Sequence, residues 1–164
     1  MLTITCLKRD CYLTLWNDLQ KLDEVQVDDV ARNLVISMDE IYRRNHAKIT
    51  NIAFLAGPAS FTSARIISAV CSGIQLAKPD TYVIPVSLDE AIYSFPEYIN
   101  QPIKLQCNTS LYHVYTDRWT LTQAPDSCEY ISPDQVDMPL GLAKFAQNCH
   151  EKREIIPFYG HSIM

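Results

Sequence analysis

A basic stripe is the first thing this sequence lacks. Fourteen Lys and Arg stand against nineteen Asp and Glu, the net charge is −5, and the longest basic runs are pairs such as Arg43-Arg44. Gripping a nucleic acid backbone needs clustered positive charge, so any RNA contact is expected to be indirect. Metal spacing is lacking too. The six cysteines (Cys6, Cys11, Cys71, Cys107, Cys128, Cys149) form no CxxC, and there is no HxxxH or HExxH, so neither a metal nor a cofactor is expected. Several of these cysteines sit among apolar residues, as buried free thiols do, which favours a reducing cytoplasm. The opening MLTITCLKRD reaches charge too early for a signal peptide, and no apolar run approaches membrane-spanning length. Glycine is scarce, with four in 164 residues.

What is present suits a compact domain or two small lobes: 48% of residues are apolar. LTITCL and CYLTLW, parted by KRD, read as a hairpin, with a weaker strand near KLDEVQV. Asp28 and Asp29 offer an N-cap to a helix on which Val30, Leu34, Met38 and Ile41 recur, supported by Ala31, Val35 and Tyr42. Glu40 precedes Arg43 and Arg44 at helix-stabilising spacing. NIAFLAG is a wholly apolar, central strand. A second helix runs over 62–77 and closes at Lys78-Pro79. TYVIPV is a strand, and SLDEAIYSF a short helix with Ser87 as N-cap and Glu90 three residues on. Two prolines mark a boundary near 96–102, dividing the chain into 1–97 and 98–164. Beyond it IKLQC, LYHVYT and WTLTQA read as a meander, PLGLAKFAQNCHEKR as a helix, and EIIPFYGHSIM as an extended tail. The first part is therefore α/β, a mixed sheet with helices.

On a wheel of 100° per residue, Ile66, Ile67, Val70, Ile74 and Ala77 of the second helix gather on the side expected to face the sheet. Ala64, Ser68, Cys71, Ser72 and Gln75 gather on the other, a small and weakly polar surface unlike a solvated one. Small side chains permit close helix approach, either by the first helix of the same chain or by another protein. Arg65, at the stripe's edge, suits a surface salt bridge or a partner's carboxylate. A Ser68→Arg change is expected to abolish association and leave the fold intact.

The loop before this helix is a poor phosphate cradle. Gly57 frees the backbone, but Pro58 removes an N–H and no lysine follows before Lys78. Ser60 and Thr62 serve instead as helix caps. His46, His113, His150 and His161 fall in no nucleophile-base motif, and Asp28-Asp29 and Asp39-Glu40 read as cap and solvated face. No catalytic constellation is legible.

GPASFTSARI, AVCSGIQLA and IPVSLDEAIYS together resemble the signature of the TsaB (YeaZ) family. Gly57, Pro58, Ser60, Phe61, Thr62, Arg65, Ala69, Gly73, Pro85, Ser87, Leu88 and Ala91 match it in fixed register. LYHVY and PFYGH add weaker likenesses. The resemblance implies the actin-like ATPase (ASKHA, ribonuclease H-like) fold, with a mixed sheet, flanking helices and here a truncated second lobe. It implies a cytoplasmic, non-catalytic subunit that supports TsaD. TsaD works with TsaE, and with threonylcarbamoyl-adenylate made by TsaC, to place threonylcarbamoyl on the adenosine beside the anticodon. TsaE is a further candidate partner, and a homodimer is expected when the protein is alone. The interface implied takes Gly57, Pro58, Ser60, Phe61, Thr62, Ala64, Arg65, Ser68, Cys71, Ser72 and Gln75 from helix two and its loop, with Leu34, Met38, Ile41 and Tyr42 from helix one.

The departures bear on nucleotide chemistry. Thr5, Cys6 and Leu7 stand where the family has Asp-Thr-Ser, Asn108 stands at the second-lobe aspartate, and His161 at the terminal arginine. Ala59 and Ser63 replace glycines. A nucleotide-binding ATPase of degenerate ASKHA type is the alternative, and a homodimer with another client a third reading. Loss of an acidic group that would order Mg²⁺ works against the former.

Overall fold

The structure, a computed structural model, describes residues 1–7, 10–45, 49–57, 61–99, 101–107, 111–116, 118–121 and 131–156. Strand β1 (Leu2–Leu7) pairs antiparallel with β2 (Asp10–Asn17), and β2 with β3 (Gln20–Gln26). Asp18 and Leu19 join β2 to β3 at φ 46° and 64°, the handedness that two-residue hairpin turns require. Helix α1 (Val30–Asn45) then carries the chain to β4 (Asn51–Gly57), parallel to β1, and α2 (Phe61–Ala77) carries it to β5 (Tyr82–Ser87), parallel to β4. The resulting sheet has the order β3-β2-β1-β4-β5, and β1 and β4 at its middle are buried throughout apart from their ends. The hairpin, the weak third strand and the central position of NIAFLAG are as the sequence predicts.

Strand alternation divides the core in two. Leu2, Ile4, Ile52, Phe54 and Val83 pack with Leu34, Met38 and Ile41 of α1 and Ile67 and Cys71 of α2. On the opposite face Ala53, Leu55, Ile84 and Val86 pack with α3 (Leu88–Tyr93) and α4 (Met138–Asn148). Between α3 and α4 the chain forms a meander of β6 (Ile103–Cys107), β7 (Leu111–Thr116) and β8 (Arg118–Leu121). Ile103 of β6, Ile131 and α4 share the second core with β4 and β5, so the later part of the chain returns to the first sheet.

Two local devices hold that second face. The Ser87 N–H donates to Glu90 Oε2 at 2.9 Å, the capping interaction read from the sequence, and Arg153 grips both oxygens of Glu90 at 2.6 and 2.8 Å. Gly141 lets α4 lie against α3: a Cβ there would stand 2.5 Å from the Ala91 carbonyl oxygen. The Ser94 hydroxyl, 2.7 Å from that same oxygen and 3.1 Å from the Gly141 carbonyl, ties the crossing together.

Two expectations need correction. The last helix ends at Asn148, short of the predicted Arg153, because Cys149 is already extended. Arg43 pairs with Asp39 at 2.9 Å, not with Glu40, and Arg44 reaches Asp23 of β3 at 2.7 Å.

Candidate functional site: the outer layer of the first two helices

Helices α1 and α2 lie side by side on one face of the sheet, with Lys78 Nζ 5.7 Å from the centre of the Tyr42 ring. Gly57, where β4 hands over to the loop before α2, has φ 136°, a conformation that side chains disfavour. Pro58 and Ser60 lie outside the described residues, as do Ala59, Asn108 and His161, and the side chain of Phe61 is not among those described.

The side of α2 expected to receive a partner is rotated relative to the prediction. Ala64, Ser68 and Cys71 are buried at 1%, 5% and 0% exposure within the chain's own core, while Ser72 and Gln75 are half-buried. Burial pushes the Cys71 thiol up to about 12. Leu34, Met38 and Ile41 of α1 are likewise core residues, and only Tyr42 is half-buried. The residues that do face outward on α2 are Thr62, Arg65, Ala69, Gly73, Leu76 and Ala77. Ile66 and Val70, expected against the sheet, sit at the margin. Arg65 keeps its expected outward position.

The physical reason is that a wheel weighted by hydrophobicity follows the largest side chains. The narrow space between α2, α1 and the sheet instead admits alanine, serine and cysteine, so the helix turns by about one residue's rotation, ~100°. Small residues do mark close approach here, but the approach is internal. Ser68→Arg therefore does not test an interface. Ser68 Oγ is buried with no hydrogen-bond partner, and an arginine there would enter the core.

The surface that sequence reasoning missed is apolar. Val35, Ile36 and Leu76 are 59%, 57% and 84% exposed, so half of the six exposed large hydrophobic residues among the described ones fall on these two helices. A signal existed. Leu34, Val35 and Ile36 are consecutive and span about 200° of a helix, so they cannot all face the sheet. Gly73 is the other clue: an added Cβ would meet nothing within 4 Å, so nothing in the chain itself requires glycine there.

A second region bears on the nucleotide alternative. At the end of β1 a pocket of about 240 Å³ is lined by Thr5, Tyr12, Pro133 and Met138, with Asp10, Asp134 and Asp137 also on its walls. The Thr5 Oγ1 on this lining is buried without a partner. Among the described residues this lining has three acids and no base, which opposes a phosphate chain. Among the described residues, no group of three or more His, Cys, Asp or Glu is placed to hold a metal ion. His150 is exposed, and the other three histidines fall outside the described side chains. No helix among the described residues is long and apolar enough to cross a membrane.

No protein-family model and no curated protein matches the chain. Solved structures do. YeaZ from Pseudomonas aeruginosa is similar with a TM-score of 0.54 and 20% identity, over 69% of this chain and 56% of that one. A structure titled as an uncharacterized protein with similarity to peptidase YEAZ from Pseudomonas aeruginosa is similar with a TM-score of 0.55 and 18% identity, over the same shares. The chain thus spans little more than half the length of these structures. What they share is the fold, a mixed sheet flanked by helices.

Proposed function

We propose that this chain is a cytoplasmic, TsaB-like, non-catalytic partner subunit in threonylcarbamoyladenosine modification of tRNA, docking onto TsaD through the outward faces of α1 and α2. The observation that carries this is that large apolar side chains are exposed on both helices of one face, Val35 and Ile36 on α1 and Leu76 on α2, and that Gly73 of α2 is open as well. Where such side chains form one apolar patch, they mark an interaction surface. The YeaZ-like fold and the matched signature support TsaD as that partner, and in this reading the fold is the actin-like one with a reduced second lobe. A net charge of −5 fits a subunit that meets tRNA only through its partners. Alone, the same layer serves for pairing with a second copy.

The test is a titration of TsaD with the wild type and with Leu76→Arg, a change at a side chain 84% exposed. Binding by the wild type and its loss in the variant, at unchanged circular dichroism, is the expected result. Equal affinity for both would remove this surface from the complex. No binding by either, with a homodimer that Leu76→Arg dissociates, would favour a different client. Micromolar binding of Mg-ATP with turnover would favour the ATPase reading.

A further inference from the structure

Cys6 and Cys11 meet across the first hairpin in a geometry that the register alone fixes. They are direct partners in the β1–β2 pair. Met1 and Trp16 exchange both of their backbone hydrogen bonds, at 3.0 and 2.9 Å, which makes that pair a hydrogen-bonded one. Such pairs alternate along an antiparallel ladder, so the Cys6–Cys11 pair is of the other kind. An independent bond agrees: the Cys11 carbonyl accepts from the Val27 N–H at 2.8 Å and so points away from β1. In a non-hydrogen-bonded pair the Cα atoms lie about 4.5 Å apart and the side chains approach most closely, within the range that a disulfide spans.

Both side chains fall on the α1/α2 side of the sheet and are buried, at 1% and 0% exposure. The register sets the two thiols side by side, and Ser63 in the first turn of α2 acts on Cys6 as well. The Cys11 thiol first, and then Ser63, outweigh burial and lower Cys6 from the usual thiol range, whereas Cys11 is pushed up by the adjacent Cys6 and by burial. One sulfur is thus the ready nucleophile and the other keeps the proton.

We propose that Cys6 and Cys11 form an oxidation site, a buried dithiol that closes to a disulfide when a hydroperoxide reaches Cys6. The Cys6 thiolate attacks the distal peroxide oxygen, and the O–O bond breaks to leave Cys6 sulfenic acid and an alcohol or water, which takes a proton. The Cys11 sulfur then attacks the Cys6 sulfur. Its proton leaves with the departing hydroxide as water, and the S–S bond forms. Two thiols are oxidised by two electrons and one peroxide is reduced.

Lys8 and Arg9 lie between the two cysteines, so trypsin places them on separate peptides unless a disulfide joins them. The folded protein is treated with hydrogen peroxide, denatured with N-ethylmaleimide, digested and analysed by mass spectrometry. The expected product is the Cys6 peptide linked to the Cys11 peptide, parted by dithiothreitol, its rate of formation rising with pH as the lowered Cys6 thiol ionises. Cys11→Ser is expected to leave Cys6 as a sulfenic acid that dimedone traps. Recovery of both peptides separately and fully alkylated, once the half-buried Cys149 has been oxidised, would overturn the proposal. A Cys6–Cys71 link in place of Cys6–Cys11 would also overturn it. The wild-type peptide map decides the matter even if the variant fails to fold.

Discussion

Two glycines inside helices, Gly141 and Gly73, divide the molecule into its closed side and its open one. Gly141 is enforced from within, because the backbone of α3 occupies the place where a methyl group would go. Gly73 faces empty space on α2. The α3/α4 side carries further ties, in the Ser94 bridge and the grip of Arg153 on Glu90, while the α1/α2 side leaves Val35, Ile36 and Leu76 uncovered. An interior glycine lowers helix stability by about 1 kcal/mol relative to alanine. On the closed side that loss is explained by packing within the chain. On the open side an explanation has to come from outside it.

The strongest disruption of this contrast is expected at Ser68, on the inner side of the open layer. Ser68→Arg would bury a charge with no counterion and is expected to destabilise the protein by about 4 kcal/mol or more, measured by urea unfolding. Ser68→Ala, which removes only a hydroxyl that has no partner, is expected to be neutral or slightly stabilising. Equal, small effects of both changes would mean that this side of α2 is accessible after all. Gly141→Ala comes next. With a methyl group 2.5 Å from a backbone oxygen, α3 and α4 must move apart, and a loss of about 2 kcal/mol is expected, a fall of about 4–8 °C in Tm by calorimetry. An unchanged Tm would show that the two helices separate freely.

The sheet and its order of elements were legible because their signals are local and strong. The apolar run 52–57 and the capping pair Ser87 and Glu90 each admit few alternatives. The rotation of α2 was not legible, since it depends on how little room α1 and β1 leave beneath Ala64, Ser68 and Cys71, which no single-helix pattern encodes. The same blindness hid the outer surface. Val35 supports the helix pattern because it follows the i, i+4 rhythm with Ala31, yet it is exposed, as is Ile36 beside it. The pocket beside Thr5 was invisible for another reason, since residues 133–139 return to the first strand from far along the chain.

The smallest expected effect sharpens the contrast most. Gly73→Ala adds a methyl group where the chain has nothing to meet, so the isolated protein is expected to gain about 1 kcal/mol of stability, seen in urea unfolding. If a partner helix approaches α2 closely over Ala69 and Gly73, the same methyl group stands in its way, and affinity for TsaD is expected to fall by about tenfold, roughly 1.4 kcal/mol. Stability and binding then change in opposite directions from one substitution, which a mere loosening of the fold cannot produce. A gain in stability with unaltered affinity would leave Gly73 as unused slack in the helix, and move the docking surface toward Val35 and Ile36 on α1.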